Sequence, residues 1–397
     1  MITLLLLLGV GAAFSRPGRD AFRWLAESLL LGAGVAFGLM FVESLLRIPW
    51  TRAGVMLPLI AAAIVGIALR RHALRVTLPR LHWLDIVALV VIVGYARFAT
   101  MAPTPEYDFI GIWGVKAKEF FVARGIDWAW LANPFNEFAH VDYPLLVPLM
   151  FDLQLLVDGS GPGWMNVGFG VAALLMLRGF LDEEIEARWI SALATIALAW
   201  TALSPWIGLA EGPLVAYGTA GLLFIRRGET TRGAVLLGLA ACCKNEGLTL
   251  IVAAFIAART LRLWAAPAIA APWLVLRAAH GLNTDLTSGA IWPRVVEHLS
   301  NPAPMLRAMV VYSLGKPLFW SGILLALVLG FRQLRRERFL VTAIALQLAF
   351  FIAAYLVTPH DIAWHVRWSW ERIVTQLAAA IGFLAVNCLA ERLRPVP

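Results

Sequence analysis

Apolar residues gather into runs at residues 2–15, 24–46, 53–69, 83–99, 143–157, 164–178, 189–204, 210–225, 233–243, 248–258, 263–279, 308–330, 339–357 and 373–390. Polar residues are confined to short stretches between them. A perpendicular helix needs about 20 mostly apolar residues to cross a bilayer, and several runs fall short of that. The pattern predicts an all-α fold, a polytopic transmembrane helical bundle of about 13 spans plus a re-entrant helix. No internal repeat and no soluble domain interrupts it.

Composition strengthens this reading. Hydrophobic residues make up 60% of the 397 residues and charged ones 15%, against about half and a quarter in soluble domains. A cytosolic enzyme, a disordered chain and a disulfide-built secreted domain are excluded. The formal net charge is +8, from 33 Lys+Arg and 25 Asp+Glu. The arginines sit in short clusters between apolar runs, which reads as the bias of cytoplasmic loops and not as a nucleic-acid surface. Cys242, Cys243 and Cys388 lie in apolar runs and form neither a disulfide framework nor a zinc spacing.

The basic clusters set the sides. Arg16, Arg19 and Arg23 follow the first run and favour a retained helix over a signal peptide. Arg70, Arg71, Arg75 and Arg80, then Arg226, Arg227 and Arg232, then Arg332, Arg335, Arg336 and Arg338, then Arg392 and Arg394, mark cytoplasmic segments. If both 143–157 and 164–178 crossed, segment 179–188 would fall on the wrong side. Residues 143–157 are short and carry Pro144 and Pro148, so they are the expected re-entrant helix. The outer face then carries residues 100–142, 205–211, 244–247, 280–303 and 358–372.

Candidate chemistry collects on that face. Asp108 precedes a short amphipathic helix whose apolar stripe is Trp113, Ala117, Phe120 and Phe121, with Lys116 and Glu119 off it. Two roles fit Asp108, a helix N-cap and a general base or metal ligand at a cavity mouth. His140 and Asp142 alternate ahead of the re-entrant helix, followed by Tyr143 as an interfacial anchor. Glu211 is the only acid between residues 187 and 228, and boundary acids are costly. Lys244-Asn245-Glu246-Gly247 interrupts two short runs, so Lys244 and Glu246 must pair or face water. Farther on, Thr358 and Asp361 read as a capping box with Pro359 at the first helical position. His365 and Trp368 follow, then Arg372, whose planar fork suits phosphate oxygens.

Taken in order, Asp108, the amphipathic helix, His140-Val141-Asp142-Tyr143-Pro144-Leu145-Leu146, Glu211, Lys244-Asn245-Glu246-Gly247 and Arg372 resemble the GT-C superfamily of membrane glycosyltransferases. The likeness is to the group of protein O-mannosyltransferases and the lipid A aminoarabinose transferase. It covers roughly residues 83–390. It implies a polyprenyl-phosphate sugar as donor and an active site facing the periplasm across a bacterial inner membrane. Asp108 and Glu211 would be the catalytic acids. Arg372, Lys244 and Lys116 would bind the donor phosphate, with His140, Asp142, Glu246, His365 and Trp368 around them. The resemblance leaves room for a divalent cation, magnesium or manganese, beside Asp108. Many relatives carry Asp where this chain has Glu211. Three runs also precede the first large loop where the common pattern has one. The domain expectation is therefore an N-terminal extension at 1–82, a core at 83–279 with its outer loop at 100–142, a loop or lid at 280–303, and C-terminal helices at 304–397. In the lid, Trp292, Val295, Val296 and Leu299 form one stripe, as in an interfacial helix.

Two other functions fit the hydrophobicity, a lipid-linked-glycan flippase or transporter and a non-enzymatic envelope-complex subunit. A flippase is expected to carry charge at the midplane. The subunit reading leaves the outer acids and Arg372 without a purpose.

Overall fold

The computed structural model describes residues 1–15, 20–70, 77–79, 81–101, 106–203, 207–284, 286, 289–313, 315 and 317–393. Arg16, Arg19, Arg71, Arg75, Arg80, Arg394, Pro205 and the side chains of Arg70 and Arg392 lie outside the described residues. Among these residues the fold is all-helical, with only an isolated bridge between Asp20 and Thr77.

Four helices precede the large loop: α1 (Ile2–Ala12), α2 (Ala21–Leu45), α3 (Arg52–Arg70) and α4 (Leu84–Met101). The loop holds α5 (Gly114–Ala123) and α6 (Trp128–Leu131) and leads into α7 (Leu146–Asp158). The centre of the bundle is α8 (Gly163–Glu184), α9 (Arg188–Ala202), α10 (Glu211–Arg226), α11 (Thr230–Ala241), α12 (Glu246–Ala258) and α13 (Ala265–Ala279). The remainder is α14 (Ile291–Ser300), α15 (Ala303–Ser313), α16 (Pro317–Leu329), α17 (Arg338–Leu356), α18 (Ile362–Thr375) and α19 (Ala378–Leu393).

Among the described residues five helices, α2, α3, α4, α8 and α17, are long and apolar enough to cross a membrane. The pair α18–α19, bent by 51°, makes a sixth if taken as one span. Helices α1, α9, α12, α13 and α16 are apolar but shorter. Leu57, Ile64 and Val65 on α3 and Ile86, Val90 and Val93 on α4 are exposed, as a lipid-facing surface requires. Two expected runs are divided. Residues 308–330 form α15 and α16, because Pro317 starts a new helix after residues 314–316 and cannot continue the old one. The last run is broken after Thr375, so Arg372 sits in the final turn of α18.

Ion pairs and close contacts sort the helix ends into two groups. At one end Arg178 of α8 bonds Asp85 at the start of α4, and Arg226 at the end of α10 bonds Glu184 and Glu337. Arg23 and Arg227 reach Glu183, Arg232 reaches Glu27, and Asn387 of α19 donates to Glu337. This end gathers Arg226, Arg227, Arg232 and Glu337 from segments that the sequence places in the cytoplasm. At the other end Gly163 packs on the Ala99 carbonyl at the far end of α4, so α4 and α8 run antiparallel. Both ends of α7 lie at that second end. Leu146 N–H donates to Cys242 O beside Lys244, and Asp158 receives the Met1 ammonium and Thr3 only five residues before Gly163. Helix α7 therefore has both of its ends at the same end of the bundle. Its 13 residues, about 20 Å of helix, fall short of the length of a perpendicular span.

Helices α1 and α2 cross backbone to backbone. A Cβ on Gly32 would lie 1.9 Å from Leu7 O, and one on Gly11 would lie 1.6 Å from Ser28 O. Small residues allow this approach where lipid offers no hydrophobic drive to association. Gly32→Val is expected to lower the stability of the purified protein by about 3 kcal/mol or more, read as a fall in apparent melting temperature. An unchanged melt would show that the crossing is dispensable. Opposite placement of the two ends is checked with exposed Lys118→Cys and Arg335→Cys. In intact cells a membrane-impermeant maleimide is expected to label the first and spare the second, against native cysteines that are all buried.

Candidate functional site

The site is a cluster of charges at the second end. Asp108 leads into a π-helical turn, Phe109–Trp113, which continues as α5. Such turns often mark functional positions. Asp108 occupies the N-cap position but makes no capping bond with its side chain. Its carboxylate instead accepts a hydrogen bond from Arg372 Nη1 at 2.6 Å, 264 residues away in sequence. Both side chains are partly exposed, while Arg372 Nε is buried without an acceptor among the described residues.

Behind this pair lies a second one. Glu211, the first residue of α10, accepts from Lys244 Nζ at 2.9 Å, and Glu246 at the start of α12 lies 2.9 Å from the same ammonium. Glu211 and Lys244 are buried. Their environment demands the pairing, since an unpaired charge there is strongly destabilising. Gln347 of α17 donates to Glu246 O and so ties the α11–α12 turn to the bundle. Glu211 and Arg372 lie near enough to act on each other electrostatically, and Tyr143 on both Lys244 and Arg372. Asp108, Arg372, Glu211, Lys244 and Glu246 thus form one cluster drawn from four segments.

Lys116, His140 and Asp142 build an adjoining layer. Sequence periodicity puts Lys116 off the apolar stripe, but the side chain is fully buried. Three residues separate it from Trp113 and four from Phe120, so it shares their face. Its Nζ donates to His140 O and sits 5.4 Å from the Trp113 ring centre and 5.6 Å from that of Tyr143, a cation–π distance. Burial pulls the Lys116 ammonium down to about 7, against an opposing push from Asp142. His140 takes a left-handed backbone conformation, φ 49° and ψ 60°, which turns its carbonyl to Lys116 and stacks its ring on Tyr143 at 4.8 Å. Asp142 is buried and not part of a wet loop. It accepts from Asn245 Nδ2 at 2.9 Å and lies 3.9 Å from Arg277 Nη2. Burial raises its carboxyl above the usual range, opposed by Arg277, Lys116 and His140.

Two expected members stand apart. His365 Nδ1 pairs with Thr358 Oγ1 at 2.7 Å and packs edge-on to Tyr355, and Trp368 is 61% exposed under the Arg367 guanidinium. The capping box is also corrected. Asp361 is the N-cap of α18 and accepts from Trp364 N–H, while Thr358 is held by His365 and His360. Pro359 lies before the helix. Asn245 and Arg277 were not singled out as partners of Asp142. Arg277 ends an apolar run, a position where a lone charge calls for a partner. Among the described residues no three His, Cys, Asp or Glu side chains converge as a metal site. Asp108 is engaged by Arg372, and Glu211 and Glu246 by Lys244. That donor set does not fit a divalent cation at Asp108.

Comparisons with protein-family models, with curated proteins and with solved structures find no match to this chain.

Lys116 supplies a pH test. Its folded pKa lies below the unfolded value near 10.4. Between about pH 7 and pH 10 the unfolded chain therefore binds the proton that the folded chain lacks, and stability rises with pH by at most about 1.4 kcal/mol per unit. Below pH 7 the cost of burying the ammonium is fully present. Chemical denaturation of the purified protein across this window is expected to show a rise that is reduced in Lys116→Met. Equal slopes in the two proteins would rule out a depressed Lys116.

Proposed function

We propose that the chain is an integral-membrane glycosyltransferase. It moves a sugar from a polyprenyl-phosphate donor to a lipid, glycan or protein acceptor at the periplasmic face of a bacterial inner membrane. The reading includes a GT-C-like organisation in which the shorter apolar helices and also α10 and α11 cross, giving about 13 spans around re-entrant α7, with residues 1–82 as an added N-terminal unit. The observation that carries it is Arg372. Its guanidinium holds Asp108 yet keeps a buried Nε–H without an acceptor among the described residues, and Lys244 stands behind it.

In this reading the donor phosphate engages Arg372, helped by Lys244, and competes with Asp108 for the guanidinium. The freed Asp108 carboxylate takes the proton of the acceptor hydroxyl as its oxygen attacks the anomeric carbon. The bond from that carbon to the phosphate oxygen breaks, and the electron pair leaves on the phosphate. Arg372 and Lys244 stabilise that charge as it develops. Glu211 is paired and 1% exposed, so it acts through Lys244 as a positioning residue. Lys116 points its ammonium at a backbone carbonyl and supports the His140–Tyr143 turn; it does not contact the phosphate.

Binding of a labelled polyprenyl-phosphate sugar is expected to be lost in Arg372→Ala and kept in Arg335→Ala. Asp108→Asn is expected to retain binding while transfer falls by about 100-fold or more. Equal effects of the two arginine substitutions would remove the phosphate clamp.

The lid belongs to the same proposal. On α14, Trp292, Val296 and Leu299 are exposed, whereas His298 reaches the Leu356 carbonyl and Arg294 the Leu286 carbonyl. Gly281 and Gly289 take positive φ on either side of a polar stretch that includes Asp285, itself outside the described residues. Amide hydrogen exchange over residues 280–303 is expected to slow when a polyprenyl-phosphate sugar binds. Unchanged protection at saturating ligand leaves α14 as a fixed anchor.

A further inference from the structure

A groove of about 420 Å³ runs between α2, α11 and α13, away from the charges of the cluster. Its walls are apolar throughout, from Phe14 at the depth of the bundle to Val42 and Trp273 toward the charged end. Along α2 it extends from Leu31 to Val42, about 16 Å of helix. That is close to half of a hydrocarbon core about 30 Å thick, or one leaflet. At its upper end Trp273 is 3% exposed, and its indole N–H has no acceptor among the described residues. One turn beyond Trp273 stands Arg277, which faces Asp142. Trp128 stacks on Trp273 and on His280, closing an aromatic rim.

We propose that this groove is a binding site for one acyl chain of a bilayer lipid. The chain lies along α2, its ester carbonyl accepts from Trp273 Nε1–H, and its polar head rests beside Arg277 and Asp142. The length argues for an acyl chain over a polyprenyl one, since many repeated five-carbon units outrun a slot one leaflet deep. Position argues the same way. Arg372 stands on α18, which packs on α15, α17, α10 and α19, and none of these lines the groove. The orphaned donor matches the one polar acceptor that an acyl chain carries at its head. This inference does not rest on the transferase reading. If both hold, the lipid head lies beside Asp142 and Asn245, next to the charge cluster.

Gly38 provides the test. It lines the groove, and a Cβ built on it meets nothing within 4 Å, so a phenyl group there fills the slot without pushing on the backbone. Gly94 on α4 is equally open but lies on the outer surface and serves as control. The full chain is placed in nanodiscs containing a phosphatidylethanolamine with a diazirine midway along one ester-linked chain, and cross-links are mapped by mass spectrometry. Labelling is expected to concentrate on α2, α11 and α13. It is expected to fall about tenfold in Gly38→Phe, as a chain loses most of its buried contacts, and to be unchanged in Gly94→Phe. An ether-linked analogue is expected to label less than the ester in the native protein and equally in Trp273→Phe. Labelling spread evenly over α3 and α4, or indifferent to Gly38→Phe, would overturn the proposal, and equal labelling by ester and ether probes would overturn the placement at Trp273. Displacement of the probe by polyprenyl phosphate at lower concentration than by unlabelled phosphatidylethanolamine would assign the groove to the donor chain and equally defeat it. None of these readouts requires sugar transfer, so failure here and failure of the transferase reading are separable.

Discussion

Most buried charges in this bundle are held by an opposite one, because a lone ion next to so much apolar surface has little other stabilisation. That demand explains why charged residues gather where helices end. The carboxyl of Asp152 on α7, buried without a hydrogen-bond partner among the described residues, is an exception. The acidic end of α8 meets arginines from α2, α10 and the α10–α11 turn, and the mouth of α10 meets Lys244 from the next hairpin. Helices that are individually too short or too featureless to have a fixed neighbour gain one through these pairs. Leucine and alanine faces fill the space between without specifying it strongly.

The same constraint makes the second end chemically usable. A pair such as Asp108–Arg372 satisfies both partners at rest and stays partly open to solvent. In the proposed reaction an incoming anion would replace one attraction by another instead of having to desolvate a free guanidinium. Deeper in, Glu211 and Lys244 are sealed. That difference in exposure separates groups that can exchange partners from groups that hold position.

Much of the fold was legible from periodicity. Apolar runs mark α2, α3, α4 and α17 to within a few residues, and the parity of basic clusters singled out residues 143–157, which the structure places with both ends on one side. Breaks inside apolar sequence were harder. Nothing in hydropathy alone separates α15 from α16, where the interruption is local backbone chemistry around Pro317. The site was legible as a set of residue types at one face, since Asp108, Glu211, Lys244, Glu246 and Arg372 are each anomalous in apolar surroundings. Their pairing was not, because Asp108 finds Arg372 across 264 residues and Asp142 finds Asn245 across 103. Lys116 was misassigned for a related reason. Polarity argues for an outward side chain, whereas its spacing from Trp113 and Phe120 put it inward, where an aromatic wall and a carbonyl receive it.

The separation of Asp108 from Arg372 also has a meaning for biosynthesis. At about 5–20 residues per second, the 264 residues between them take roughly 13 to 53 seconds to synthesise. In about the second half of that interval Glu211 and Lys244, only 33 residues apart, already have each other, whereas the Asp108 carboxylate still waits without its guanidinium. The nascent protein therefore assembles the sealed half of its charge cluster first and completes the open half only when α18 has been made.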